Sequence, residues 1–147
     1  MKGDRDIVMV AIRLNGIALL CASDEMKGDR DIVMAAVQKD GRALQYAAQG
    51  LNGDREIVMA AVQTTGGALQ HAAQEMKADK AIVLEALRYA HPVHRKYVFR
   101  EASVALRGTE EVVLTALEGA DDLCKHDVFN AASEQMRQNA RVLQLYR

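Results

Sequence analysis

The nine residues MKGDRDIVM stand at Met1–Met9 and again, unchanged, at Met26–Met34. Similarity runs well past those nine. Units starting at Met1, Met26 and Leu51 align without gaps at a period of 25 residues, and a fourth start, MKADKAIVLEAL, falls on phase at Met76. Two later starts, Leu106 and Met136, each come 30 residues on. Fixed-period recurrence constrains a chain more than any local propensity, because a single copy cannot bury its apolar face alone and the copies must stack.

Inside a unit the pattern is helical. Asp4, Asp29, Asp54 and Asp79 precede apolar runs and suit the N-cap of a first helix, A; Thr109 and Asn139 take that place in the later units. Asp6, Asp31, Glu56 and Glu111 follow two residues on, at the positive end of the helix dipole. Ile7, Val8, Ala11 and Ile12 then lie on one helical face, without a strand's alternation. Gly16, Gly41 and Gly66 fall where a left-handed C-cap ends a helix. A second helix, B, carries Ala18, Leu19 and Ala22, with Met26 closing the stripe. In the 30-residue units VFREASVAL (Val98–Leu106) and VFNAASEQM (Val128–Met136) keep helix B, so the five extra residues fall between A and B. Around Pro92 they lengthen the loop or add a turn, and Asp127 offers another helix start.

Composition agrees. Half of the 147 residues are apolar but only 4 % are aromatic, with no Trp and one proline, so Ala, Val, Leu, Ile and Met must build a helical core. The expected architecture is all-α: one domain over 1–147, a right-handed solenoid of about five to six helical hairpins of 25–30 residues, ending in a helix from Met136. Helices this short are marginal alone and draw their stability from their neighbours.

The pattern D-R-[DE]-I-V-M-x-A-[VI]-x-x-x-G-x-A-L-x-x-A, as it stands at Asp4–Ala22, Asp29–Ala47 and Asp54–Ala72, resembles the short tandem repeat known as domain of unknown function four-one-one-six. The resemblance covers roughly residues 1–90 and departs where the 30-residue units lose the glycine register. It implies a helical-hairpin fold. It implies no reaction and carries no catalytic residue across.

The residues themselves point away from chemistry. Lys and Arg number 19 against 20 Asp and Glu, so no net field draws the chain to nucleic acid or an anionic membrane. Cys21 and Cys124 are isolated, as in a reducing compartment, and the charged start (Lys2, Asp4, Arg5, Asp6) is no signal peptide. No apolar run spans a bilayer. The expectation is a soluble intracellular protein, cytoplasmic by default, or organellar if a targeting segment has been removed. His91 with His94, and Cys124 with His126, lack the further ligands a zinc site needs, and His71 takes the slot of Cys21 and Tyr46. A Cys124–His126 nucleophile pair lacks an orienting third group. Gly53, Gly66 and Gly67 follow repeat positions, not a phosphate loop. No catalytic residue, metal or cofactor is expected.

Two surfaces suggest binding. The first unit places Leu14, Ile17 and Leu20 where the second has Lys39, Arg42 and Gln45 and the third Thr64, Gly67 and Gln70, and Val10 is larger than Ala35 and Ala60. Terminal repeats usually turn more polar; this one turns apolar, which points to a covered surface at Val10, Leu14, Ile17 and Leu20. The occupant would be a protein partner in a structural or accessory role, a second copy, or sequence missing upstream; the plainer alternative is that these side chains pack within a modified first unit. The alternative is nucleic-acid binding by the basic stretch His91–Arg100, through Arg95, Lys96, Tyr97 and Arg100. It is disfavoured because Val98 and Phe99 align with core positions and the acidic segment Thr109–Asp122 lies beside it.

Overall fold

The computed structural model describes residues 2–147, with side chains from Asp4 onward; Met1, where the first unit's phase begins, lies outside the described residues. The long helix α1 (Lys2–Leu14) is followed by a 3-10 helix, Gly16–Cys21, and the one-turn helix α2 (Asp24–Lys27). The order repeats with α3 (Arg30–Lys39) and 3-10 helices at Gly41–Tyr46 and Leu51–Gly53. It repeats again as α4 (Arg55–Thr64), Gly66–His71 and α5 (Gln74–Lys77). Next come α6 (Lys80–Tyr89), a 3-10 turn at Pro92–His94, α7 (Arg95–Glu101) and α8 (Val104–Arg107). Then α9 (Glu110–Leu117), α10 (Asp122–Ala131) and α11 (Glu134–Arg137) lead to α12 (Ala140–Tyr146). The described residues are helical with no strand.

The unit therefore has three pieces where two were expected. Helix B is a six-residue 3-10 helix in the 25-residue units, broken at an extended alanine (Ala22, Ala47, Ala72) before the next turn. The stripe Gly16–Leu19–Ala22, repeated as Gly41–Leu44–Ala47 and Gly66–Leu69–Ala72, has a spacing of three, which is the 3-10 repeat. In the longer units the extra residues convert this segment to true α-helix, α7 and α10. Pro92 opens its 3-10 turn at the first position, where the missing N–H is harmless. Asp127 does not start a helix; α10 is capped by Asp121, which accepts from the Cys124 N–H, and Asp127 lies inside it.

The glycines also do different work from the expected C-cap. Gly16, Gly41 and Gly66 have no positive φ; that conformation occurs only at Gly50 (105°) and Gly119 (69°) among the described residues. Gly119 follows α9 and its C-cap Glu118, so the left-handed helix end appears in a long unit. Gly16, Gly41 and Gly66 instead let one unit's 3-10 helix press on the next unit's long helix. A Cβ on Gly66 would collide with the Ala86 carbonyl oxygen and stand 2.6 Å from the Ala90 nitrogen, and Gly16 and Gly41 face Ala36 and Ala61 in the same way. In the first long unit Arg95 fills this junction: its Nη1 donates to the carbonyl oxygens of Thr115 (2.8 Å) and Glu118, closing the C-terminus of α9.

The successive long helices α1, α3, α4, α6, α9 and α12 pack in chain order, and buried side chains form one continuous cluster from Ile12 to Val142. An Arg–Asp ladder crosses the seams of the 25-residue units, and a backbone ladder ties the start of each later unit to its end. Arg5, Arg30 and Arg55 each reach the N-cap aspartate of the next unit, Asp29, Asp54 and Asp79, at 3.1, 2.9 and 3.0 Å. The N–H groups of Ala48, Ala73, Ser103 and Ser133 donate to the carbonyls of Lys27, Asn52, Lys77 and Arg107. Asp29, Asp54, Asp79 and Asn139 accept from backbone N–H groups two and three residues on, as N-caps should. Asp4 and Thr109 depart from that expectation. α1 already begins at Lys2, which puts Asp4 inside its first turn, and Thr109 turns its hydroxyl to the Ala105 carbonyl. With Thr109 unable to pair, the seam charges shift to Lys80 with Glu111 and Arg141 with Glu110.

Asp54 thus serves two units at once, and its hydrogen bond with Arg30 holds its carboxyl below the usual carboxylate range, against partial desolvation. A depressed folded pKa means the contribution is complete above about pH 4 and is lost as the pH falls through the folded value. Asp54→Ala should cost about 1 kcal/mol at neutral pH. Asp54→Asn keeps a capping oxygen but not the titration, so its urea midpoint should fall less steeply than that of the wild type below about pH 4. Parallel pH profiles for the two proteins would contradict this.

Candidate functional site

The face that ends the stack at α1 is apolar. Ile7, Val10 and Leu14, spaced i, i+3, i+7 on one side of α1, are 70 %, 57 % and 79 % exposed. Ile17, half-buried, and Leu20, 51 % exposed, extend the patch on the 3-10 helix packed against α1. Ile7 belongs here and not in the core, where its place in the repeat had put it. Its counterparts Ile32, Ile57 and Ile82 are fully buried because a preceding long helix lies over them, whereas no helix precedes α1 among the described residues. Only Ile12 of the expected α1 core set is fully buried, with Val8 half-buried against it.

Leu14 and Leu20 are exposed for a different reason. Their counterparts Lys39, Thr64 and Tyr89, and Gln45, Gln70 and Arg100, are exposed as well. These are solvent positions in every unit compared, and only the first unit gives both to aliphatic side chains. Exposed Asp6 and Arg13, a heptad apart on one flank of the α1 stripe, make no ion pair among the described residues. Behind the patch a groove of 580 Å³, lined by Val8, Cys21, Ala22 and Met26 among others, opens where the small Cys21 replaces Tyr46 and His71.

The basic segment is mostly committed to internal contacts. Arg95 donates to the α9 carbonyls, Lys96 pairs with Asp127 at 2.7 Å, and Arg100 lies 3.7 Å from the same carboxylate. Lys96 in turn holds the Asp127 carboxyl below its ordinary range. Tyr97 is exposed beside His94, with Lys96 Nζ 5.3 Å from its ring centroid. A groove of 410 Å³ lies against it, between Gly67 and Gln70 on one side and Val98, Arg100 and Glu101 on the other.

Cys124 and His126 do not meet. The buried Cys124 Sγ accepts from the Lys96 N–H at 3.1 Å, and burial pushes its thiol pKa up, away from thiolate. His126 Nδ1 bonds the Tyr146 hydroxyl at 2.9 Å. His91 and His94 have ring centroids 5.8 Å apart, and half-buried His71 has its pKa lowered by burial and by nearby Lys77. Among the described residues no three His, Cys, Asp or Glu side chains group as metal ligands, and no helix is long and apolar enough to cross a membrane.

Comparison with known families adds the decisive observation. The family model described as Domain of unknown function (DUF4116) matches residues 4–51 and again 54–107, more than two thirds of the chain. The chain belongs to this family. Each matched span of DUF4116 holds two long helices, α1 with α3 and α4 with α6, so one family domain corresponds to a pair of the 25–30-residue units. The match also reaches past the 25-residue units into α7 and α8, farther than the glycine register runs. No curated protein and no solved structure matches the chain.

Proposed function

We propose that this chain acts by binding and not by catalysis, as a structural or accessory module of a larger assembly, docking through Val10, Leu14, Ile17 and Leu20 with Ile7 added. The observation that carries the reading is the chemistry of Leu14 and Leu20: aliphatic side chains at solvent positions that the other units fill mostly with polar ones. Burying a large aliphatic side chain is worth about 1.5–3 kcal/mol, so a handful of such anchors suffices to hold a partner. In this reading the units form one domain, a right-handed solenoid of five to six repeats, whose recurring seams make it a rigid platform. A nucleic-acid track along Arg95, Lys96, Tyr97 and Arg100 is the weaker reading, because these cations already serve α9 carbonyls and Asp127.

The test is the double variant Leu14→Glu with Ile17→Lys in the full chain. Tagged wild-type protein recovered from its native source should carry a partner at stoichiometry that the variant loses, while far-ultraviolet circular dichroism stays unchanged. An identical set of co-purifying proteins for both would defeat the docking reading.

A further inference from the structure

Resting on that docking reading, we propose that the occupant of the apolar end face is a second copy of the same chain, with the two α1 helices packed antiparallel about a two-fold axis beside Val10. Three observations carry it.

The first is the stripe itself. At about 100° per residue, Ile7, Val10 and Leu14 fall within about 60° of one another, which is the seam of a two-helix packing. Read as a heptad, Ile7 and Leu14 take a positions and Val10 the d position between them. An antiparallel partner then sets Ile7 of one copy against Leu14 of the other, with the two Val10 side chains close to the axis.

The second is charge. With Ile7 and Leu14 at a, the g positions are Asp6 and Arg13, both exposed and without an ion pair among the described residues. Antiparallel helices bring g against g, so Asp6 of each copy meets Arg13 of the other, twice per dimer. A parallel pair would bring g against e, setting Asp6 against Ala11 and leaving Arg13 with no partner on α1, so no charge pair would form. The flank charges therefore favour the two-fold arrangement, in which one patch complements itself.

The third is the opposite end of the stack, which is closed. Tyr146 stacks on Phe129 with centroids 4.1 Å apart and bonds His126, while Val142 is buried beneath. Among the described residues that end exposes a lone aliphatic, Leu123 on α10, and not a stripe to receive α1, which favours face-to-face pairing over head-to-tail joining into a filament. Face-to-face pairing consumes both apolar ends and stops at two.

Sedimentation of the full chain from micromolar to millimolar concentration should show a monomer–dimer equilibrium without larger species. Asp6→Arg or Arg13→Asp alone should weaken dimerisation about tenfold, and the two together should restore it. In a Cys21→Ser background Val10→Cys should cross-link to itself under a short bismaleimide. Ile7→Cys and Leu14→Cys chains should cross-link when mixed and not separately. A monomer throughout the concentration range overturns the proposal, as does a dimer that survives Leu14→Glu with Ile17→Lys. If the wild type is monomeric but the double variant still loses a different stoichiometric partner, self-pairing falls and the docking reading stands. If it is monomeric and no partner is lost, both fall.

Discussion

Gly66→Ala should lower the urea midpoint by about 1–2 M, whereas Gly67→Ala, one residue on, should leave it unchanged or raise it slightly. Both glycines lie in the same 3-10 helix, both have ordinary φ, and both changes add one methyl. What differs is what the methyl meets. At Gly66 it would collide with the backbone of α6, at the Ala86 carbonyl and the Ala90 nitrogen; at Gly67 nothing lies within 4 Å. A flexible side chain can swing aside, but a helix backbone moves only if the whole seam opens. The cost should reach about 3 kcal/mol, the upper part of the range for overpacking, against a total stability of about 5–15 kcal/mol for a domain. At Gly67 the only change is reduced backbone freedom of the unfolded chain, worth up to about 1 kcal/mol in favour of folding. Equal effects at the two positions would mean that close approach is not why glycine stands at 16, 41 and 66.

That contrast shows where the sequence was readable. Helix starts at Asp29, Asp54, Asp79 and Asn139 were legible because a cap is a local device, set by one side chain and the next three N–H groups. The glycines were misread because a C-cap and a close approach leave the same letter, and only the neighbouring unit distinguishes them. The 3-10 form of helix B was present in the spacing G-x-x-L-x-x-A, but over six residues the apolar stripe reads equally well as α. Of the candidate site, Leu14 and Leu20 could be found by comparing units, since their positions face solvent in each. Ile7 could not, because it shares its letter with Ile32 and Ile57 and differs only in having no helix over it. The Arg–Asp seam pairs were likewise hidden: partners 24 residues apart become neighbours only once stacking is known.

Leu44→Asp is the second change of large effect, and its reach along the chain matters more than its size. Leu44 is 1 % exposed in the 3-10 helix Gly41–Tyr46, which touches the equivalent helices before and after it as well as α3 and α4. Truncating a buried leucine costs about 2–5 kcal/mol through lost transfer energy and the cavity left behind. An aspartate adds the burial of a carboxyl with no partner, which protonates or draws in water at a further cost of several kcal/mol. The sum rivals the stability of the whole chain. Because each unit lends its neighbours the surfaces they bury, the damage should spread: amide protection should be lost together in α1, α3 and α4 and in the 3-10 helices between them. Gln45→Asp, at the adjacent exposed position, should leave protection within about a factor of three of the wild type. Loss confined to residues 41–46 would show units that hold their shape alone, and short helices coupled across glycine and Arg–Asp seams should not be able to do that.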